Sequence, residues 1–569
     1  MKRAWIALAL VVGCAHGKPP AAAPETNGAG QTATKTEPQP VAAHEHAAAG
    51  AQAPRLFDDL GDHHRAISSK SAAAQRWFDQ GLRLTFAFNH EEAQRSFEEA
   101  ARLDPACAIC SWGAAMVLGP NYNQPAAPDR AKKALALLAR ARQGSASPVE
   151  KALIEALSKR YRDPPPAADD QKAQAALDQA YADAMREVAH KYPADDDVQV
   201  LFAESMMDLR PWRLWEADGR PAPGTEEIVQ TLETVLARTP QHPGANHYYI
   251  HAVEASTHPE RAVGAANRIG NMMPGAGHVV HMPSHIYQRV GRYNDAAEAN
   301  RRAIVADKKY TGQVADPGYY AMYVAHNYQF LWSSALMAGR GAESVGAARE
   351  MLKRVPMEMF VQMPELSFLL AAPTLSLVRF GKWDEVLKEP APPATLPMPL
   401  LLHHYARARA FAATGKYADA DAELKALEAL TAALPPTAMA AFAPARLVAT
   451  VANDTAQGDL LCRRGKMADG LTRLRAAVVA HDALPYDEPP DWYYPVRQTL
   501  GAWLLKAHKP AEAQKVFEED LAKNPDNGWS LIGLKEALRA QKKSTAKVEA
   551  KLAAVWNQAD VTPASSDFL

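Results

Sequence analysis

Two short segments near the middle of the chain concentrate imidazole side chains at helical spacing. The first, GANHYYIHAVE, begins at residue 244, and the second, GHVVHMPSHIY, begins at residue 277. Residues three or four apart lie on one face of an α-helix. Neutral imidazoles with a carboxylate are a common ligand set for zinc or copper, so the pattern predicts a metal site. Its predicted ligands are His247, His251, Glu254, His278, His281 and His285.

The same residues also suit roles without a metal. A groove lined by histidine and by tyrosines such as Tyr248, Tyr249 and Tyr287 can bind a peptide carboxylate or a small anion, or can simply pack. An enzyme would need an open coordination position and an acid or base, for which Glu254 is the candidate. The chain has no G-x-S-x-G, H-E-x-x-H or phosphate-binding glycine motif. The sequence therefore predicts no particular reaction and favours a non-catalytic role.

The elements that must position these residues are repeated helix pairs. Residues 74–107 fit a 34-residue helix–turn–helix unit, in which small residues let two helices approach and large ones fill the gaps. This pattern closely resembles the tetratricopeptide repeat. Similar units recur at about 243–276 and 277–310, and the resemblance covers about 65–545. The residues that carry it in the first unit are Trp77, Gly81, Leu84, Ala93, Phe97, Ala100 and Pro105.

The resemblance implies an all-α, right-handed α-solenoid whose concave groove is lined by the first helix of each pair. In this repeat family, positions 2, 5, 9 and 12 of that helix face the groove, and all six predicted ligands occupy such positions. His326 maps to position 2 of a degenerate unit and borders the same zone. Pro283 disfavours helical geometry at Met282, which predicts a loop carrying His278 and His281 ahead of a helix that starts near Ser284.

The N-terminus has the pattern of an export signal. A basic start and a short apolar run precede Val11-Val12-Gly13-Cys14, which resembles the bacterial lipobox in residues 1–14. Lipidation of Cys14 would anchor the protein at the periplasmic face, and Ala15 favours the outer membrane; a plain signal peptide is the alternative. Residues 15–55 are rich in Ala and Pro and predict a disordered tether, in which His44 and His46 are a solvated pair.

The remaining cysteines allow several states. Cys107 and Cys110 form a C-x-x-C pair, for which a disulfide at a helix start is favoured in an exported protein; a redox or metal-binding pair is the alternative. Cys462 is predicted to be buried. His63 and His64 precede the first repeat with no partner at ligand spacing, which favours a capping or surface role.

The net charge and the division of the repeats limit the possible partners and domains. The net charge of -1 gives no support to a nucleic-acid partner. The repeats divide into an N-terminal part (56–242), a histidine-rich central part (243–360) and a C-terminal part (361–569).

The chain closely resembles a group of uncharacterised exported repeat lipoproteins that carry HYYIHAVE and HMPSHIY. The expected function is a membrane-anchored scaffold that binds a protein segment or small ligand at the histidines; the alternative is a zinc or copper protein, or a metal-dependent enzyme. The loop YDEPPDWYYPVRQTLG, 486–501, either docks into the superhelix or forms a partner surface.

Overall fold

The computed structural model describes residues 54–126, 128–167 and 169–569, so Cys14 and the predicted signal segment lie outside the described residues. The described chain is helical apart from one hairpin, β1 (Met439–Ala440) and β2 (Ala443–Pro444), paired antiparallel. No described helix combines the length and the apolar character that a membrane crossing requires. Short 3₁₀ helices lie at Pro128–Arg130, Pro259–Ala262 and Pro364–Ala371. The α-helices are α1 (Ala72–Phe86), α2 (His90–Leu103), α3 (Ala108–Met116), α4 (Ala131–Ala141), α5 (Pro148–Leu157), α6 (Gln171–Lys191), α7 (Asp196–Met207), α8 (Thr225–Arg238), α9 (Pro243–Val253), α10 (Val263–Ile269), α11 (Gly277–His281), α12 (Pro283–Arg289), α13 (Tyr293–Thr311), α14 (Tyr320–Met337), α15 (Gly341–Arg354), α16 (Met357–Gln362), α17 (Ala372–Arg379), α18 (Trp383–Val386), α19 (Pro397–Ala413), α20 (Tyr417–Ala433), α21 (Ala445–Arg463), α22 (Met467–Asp482), α23 (Arg497–Lys506), α24 (Pro510–Lys523), α25 (Gly528–Ala540) and α26 (Ala546–Val555).

Consecutive helices pack as pairs through small residues that face large ones. Phe97 lies between Gly81 and Gly113, and a Cβ atom at either glycine would stand 2.6 Å from the Phe97 ring. Gly501 and Gly533 have the same relation to the Phe517 ring, with approaches of 2.3 and 2.2 Å. Only glycine allows such close approach, so the predicted pairing of small and large positions is confirmed.

The turns inside the pairs are built alike. In five of them, a glycine with positive φ ends the first helix, and the next backbone N–H donates to a carbonyl five residues earlier; Arg292 donates to Tyr287 at 2.7 Å, for example. This arrangement satisfies carbonyls that the helix end leaves unpaired, and the left-handed φ explains the recurring glycine. The glycines are Gly291, Gly339, Gly381, Gly415 and Gly465.

The coil of helix pairs folds back on itself. Trp529 in α25 donates its indole N–H to the carbonyl of Leu336 at 3.1 Å, and the backbone of Gly341 donates to Asp560 at 2.6 Å. The C-terminal tail is also buried, with Asp567 in an ion pair with Arg409 at 3.1 Å. The C-terminal repeats therefore contact both the central repeats and the chain's own tail.

Candidate metal centre

The central histidines fall into two groups with the same construction. His247 and His251 lie one turn apart on α9 and are joined by His278 on α11; these three are named the first triad. In each group, one potential ligand atom from every residue lies within 4.8 Å of the others. A pair at positions 5 and 9 of one repeat thus meets position 2 of the next. The second triad repeats this plan with His281, His285 and His326.

The predicted break at Pro283 is wrong. Met282 has φ -51° and ψ -35°, in the right-handed helical region, so α11 runs into α12 with no intervening loop. Proline is tolerated in the first turn of a helix, where its missing N–H costs little. His281 and His285 therefore stay one helical turn apart on one face, as the second triad requires.

In the first triad, nitrogen atoms that face one another have no protein partner. Nδ1 of His247 lies 2.6 Å from the carbonyl oxygen of Phe86, and Nδ1 of His251 lies 3.0 Å from Oε1 of Glu254. Among the described residues, Nε2 of both histidines and both ring nitrogens of His278 lack a hydrogen-bond partner. All three side chains are at most 1% exposed. An unpaired buried polar atom is costly, so a cluster of them indicates a bound ligand.

The second triad brings two Nε2 atoms together, and the raised pKa of His285 places a proton between them. His281 Nδ1 lies 2.7 Å from Oδ1 of Asn300, whose amide nitrogen donates to the carbonyl of Ala296 and so fixes the amide orientation. His281 therefore donates from Nδ1 and presents a lone pair at Nε2. Nε2 of His285 lies 2.8 Å away, while Nδ1 of His326 is engaged by Gln329 at 3.2 Å. A metal ion bound by both Nε2 atoms would replace this proton.

Two carboxylates hold His285 from the other side of its ring. Nδ1 of His285 lies 2.8 Å from Oε2 of Glu254 and 2.6 Å from Oε2 of Glu488. Glu254 contacts His251 with its other oxygen, so one carboxylate orients one imidazole of each triad. Such contacts fix the ring and tautomer of metal-binding histidines. The structure thus places Glu254, which the sequence proposes as a ligand, against the Nδ1 side of both rings.

Glu488 is a functional candidate that sequence reasoning missed. It belongs to the segment 486–501, for which the sequence left docking and partner binding open, and the structure docks Glu488 against the centre. Glu488, Asp491 and Trp492 are at most 6% exposed. The cluster of acidic and aromatic residues between prolines was the only sequence signal, because nothing in the repeat pattern gives the distance between residues 285 and 488.

Electrostatics prepare the cluster for a cation. Burial, with neighbouring imidazoles, holds the pKa values of His247, His278 and His281 well below the ordinary value. Burial would also lower the pKa of His285, but Glu254 and Glu488 raise it to about 10. Burial alone would raise the pKa of Glu254, yet the imidazoles of His285 and His251 bring it to about 2. Most of the rings are therefore neutral and able to bind metal at ordinary pH.

An aromatic residue in strained geometry covers the first triad. Phe88 has φ 54° at the turn position that glycine occupies in the five turns described above, and its neighbour Asn89 donates to Leu84 at 3.0 Å in the same way. The ring centroid of Phe88 lies 4.5 Å from that of His247 and 5.8 Å from those of the other two members. A large ring in the left-handed region is disfavoured, and here that backbone places the ring against all three imidazoles.

A third histidine group has the same spacing but different contacts. His63 Nε2 and His242 Nε2 both contact Oδ1 of Asp197, at 2.8 and 3.1 Å, and Arg65 pairs with the other oxygen at 3.1 Å. Nδ1 of His242 accepts from the backbone of Ala245 and caps α9. His63 therefore has a partner in Asp197 that the sequence did not reveal, whereas His64 contacts Asp79 at 2.8 Å with its side chain 55% exposed, in line with the expected surface role.

The cysteines lie outside these groups. Cys107 and Cys110 are joined by a disulfide at the start of α3, where Cys107 is the N-cap residue. Cys462 is a buried free thiol, 3% exposed.

The fold and the centre together define an all-α solenoid of tetratricopeptide-type helix pairs with a buried histidine cluster. No family model and no curated protein matches the chain. Solved structures similar to it include the Cut9–Hcn1 hetero-tetramer of APC/C, with 11% identity over 85% of this chain and 74% of that chain and a TM-score of 0.28. Human IFIT1 bound to m7Gppp-AAAA shares 10% identity over 85% of this chain and 97% of its own, with a TM-score of 0.32. Yeast Tom70 shares 11% over 86% and 100%, with a TM-score of 0.30. None of these similarities indicates what the histidines do.

Proposed function

We propose that the protein binds two late first-row transition-metal ions, zinc or copper, one in each histidine triad. The observation that carries this proposal is the set of buried imidazole nitrogens in the first triad that face one another without a protein partner. Imidazole nitrogen suits both metals, and three histidines leave a further coordination position open. The second triad has the same plan, with its Nδ1 atoms engaged by Asn300, Gln329 and the two carboxylates.

Burial favours a metal ion over a protein segment as the occupant of this centre. Five of the six imidazoles are at most 1% exposed, and Glu488 covers His285 from the C-terminal segment. A peptide would have to displace that segment to reach the rings, whereas a metal ion needs only small side-chain movements. Binding of a protein segment or small ligand at the histidines, the function expected from the sequence, stays a prediction that this burial disfavours.

The test is metal content, measured by mass spectrometry on protein lacking residues 1–53 and any purification tag, after challenge with zinc and with copper. Two equivalents are expected for the unaltered protein. His251→Ala and His285→Ala should each remove one equivalent, and the double variant should remove both while circular dichroism shows retained folding. Protein that takes up neither metal would exclude the proposal.

We further propose that the protein is exported and anchored by lipid on Cys14, as the lipobox pattern indicates. The Cys107–Cys110 disulfide suits an oxidising compartment. In a bacterial host, the full chain should incorporate labelled palmitate and sediment with membranes, and Cys14→Ser should abolish the label. Equal labelling of both would rule out this anchor.

A further inference from the structure

A cavity of about 780 Å³ lies beside the first triad. Tyr122 and Trp212 line it and also contact the centre, because their rings lie 5.1 and 5.8 Å from the ring of His251. One layer of side chains therefore separates the cavity from a proposed metal ligand. The volume is within the range of sites for small organic molecules.

Two roughly parallel aromatic rings line one side of this cavity. Trp212 and Phe442, which are far apart in sequence, have centroids 6.2 Å apart and planes at 29°. Phe442 lies at the tip of the β1–β2 hairpin and is 38% exposed, although it is a large apolar side chain. A planar ring between two others needs about 7 Å, twice the usual contact distance, so a shift of about 1 Å would admit one.

The backbone on both sides of this ring pair is held in a disfavoured region. Trp212 has φ 61° and Ala441, next to Phe442, has φ 44°. Ala441 is fixed by donating its backbone N–H to the carbonyl of Glu365 at 2.8 Å. Strained residues of this kind cluster at ligand sites, where the strain aims a particular side chain.

A buried hydrogen-bond donor lies in the wall of the cavity, where a small turn of its side chain would bring it to the cavity surface. Asn121 lines the cavity and is 2% exposed, and its side-chain oxygen accepts from the backbone of Asn123 at 2.9 Å. Its amide nitrogen, Nδ2, has no hydrogen-bond partner among the described residues. A ligand oxygen would satisfy this donor.

We propose that the cavity binds a small planar aromatic molecule with an oxygen substituent, of the phenol class, and holds it one layer of side chains away from His251, a proposed ligand of the first triad. The ring would lie between Trp212 and Phe442, and the oxygen would accept from Asn121 Nδ2. The proximity to metal rests on the proposed function, whereas binding in the cavity does not.

The first experiment measures phenol binding to the metal-free full chain by titration calorimetry, with cyclohexanol as a non-planar molecule of similar size. Saturable phenol binding is expected, at least tenfold tighter than that of cyclohexanol. Phe442→Ala and Asn121→Leu should each weaken it at least tenfold, whereas Phe411→Ala, a partly exposed phenylalanine on α19, should leave it unchanged. Equal binding of both alcohols, no saturable binding, or insensitivity to Phe442→Ala and Asn121→Leu would overturn the proposal.

The second experiment uses protein loaded with cobalt(II), whose visible absorption reports its coordination. Phenol should shift that spectrum in the unaltered protein and not in Phe442→Ala. Failure to bind cobalt, zinc or copper would overturn the metal centre while leaving the calorimetric result intact. Phenol binding with an unchanged spectrum in cobalt-loaded protein would overturn the link through Tyr122 and Trp212 to the metal ligand His251.

Discussion

The first triad and the His63–Asp197–His242 group both bring buried imidazoles to metal-ligand spacing, yet they differ in what their nitrogens contact. In the His63–Asp197–His242 group, Asp197 accepts from both histidines and from Arg65, so its charge is balanced within the protein; this group is called the balanced group below. In the first triad, the inward-facing nitrogens have no partner among the described residues. Spacing alone therefore does not identify a metal site; unmet hydrogen-bonding capacity does.

The largest effect on stability is expected at the balanced group. Asp197→Ala removes the carboxylate that His63 and His242 share, although Arg65 keeps its pair with Asp195, and it should lower the free energy of unfolding by about 3 kcal/mol. Its neighbour Asp196 pairs with the partly exposed Arg238, so Asp196→Ala should cost less than about 1 kcal/mol. Urea unfolding measures both. Loss of bound metal from folded Asp197→Ala would contradict the expectation that the balanced group binds no metal.

Asp307, a buried carboxylate with neutral partners, should make the free energy of unfolding depend on pH in the direction opposite to that of Asp197. Asp307 accepts from Tyr320 and Asn327, and burial raises its pKa to about 7. The unfolded chain releases this proton near pH 4, so Asp307 favours folding most at low pH. Its contribution to the free energy of unfolding falls as pH rises from about 4 to 7, by up to about 1.4 kcal/mol per pH unit. The pKa of Asp197 is instead held far below its usual value, so its contribution is present above about pH 4 and lost on acidification.

Asp307→Asn provides the test for this pH dependence. The difference between its free energy of unfolding and that of the unaltered protein should change across pH 4 to 7 with the slope given above. A difference that stays constant with pH would contradict the raised pKa.

Phe88 and His508 occupy equivalent turns with φ 54° and 57° and test the value of a ring over the triad. Phe88→Gly relieves the backbone but removes a buried ring, for a net loss of about 2 to 3 kcal/mol. His508→Gly at an exposed turn should stabilise the fold by about 0.5 to 1 kcal/mol. Thermal unfolding distinguishes these signs, and stabilisation by Phe88→Gly would show that the ring contributes nothing.

Glu254→Gln should affect metal binding more selectively than the preceding variants, because Gln keeps the shape of the side chain and removes only its charge. Loss of the charge that orients His251 and His285 is expected to weaken metal binding about 10- to 100-fold. Glu260 pairs with His258 on the surface at 3.1 Å, so Glu260→Gln is the matched control with no expected change. Competition with a chromophoric chelator measures both variants; equal affinities would remove Glu254 from the centre.

The repeat pattern predicted more of the fold than of the site. Gly81 and Phe97 have the predicted contacts because their spacing follows from helix geometry, and the histidine positions within each repeat follow in the same way. Pro283 misled the prediction because proline is disfavoured inside helices but acceptable in a first turn. Glu488 could not be placed from the sequence, because its contact depends on how the C-terminal repeats fold back on the central ones. The partners of His63 are equally distant, at residues 197 and 242.

Anomalous diffraction at the zinc and copper edges, from crystals of the metal-loaded protein, would test directly whether each triad binds one metal ion. Two peaks are expected, each about 2.0 to 2.2 Å from the nitrogens of one triad, and no peak at His63, Asp197 and His242. A peak at that balanced group, or none at either triad, would contradict this proposal.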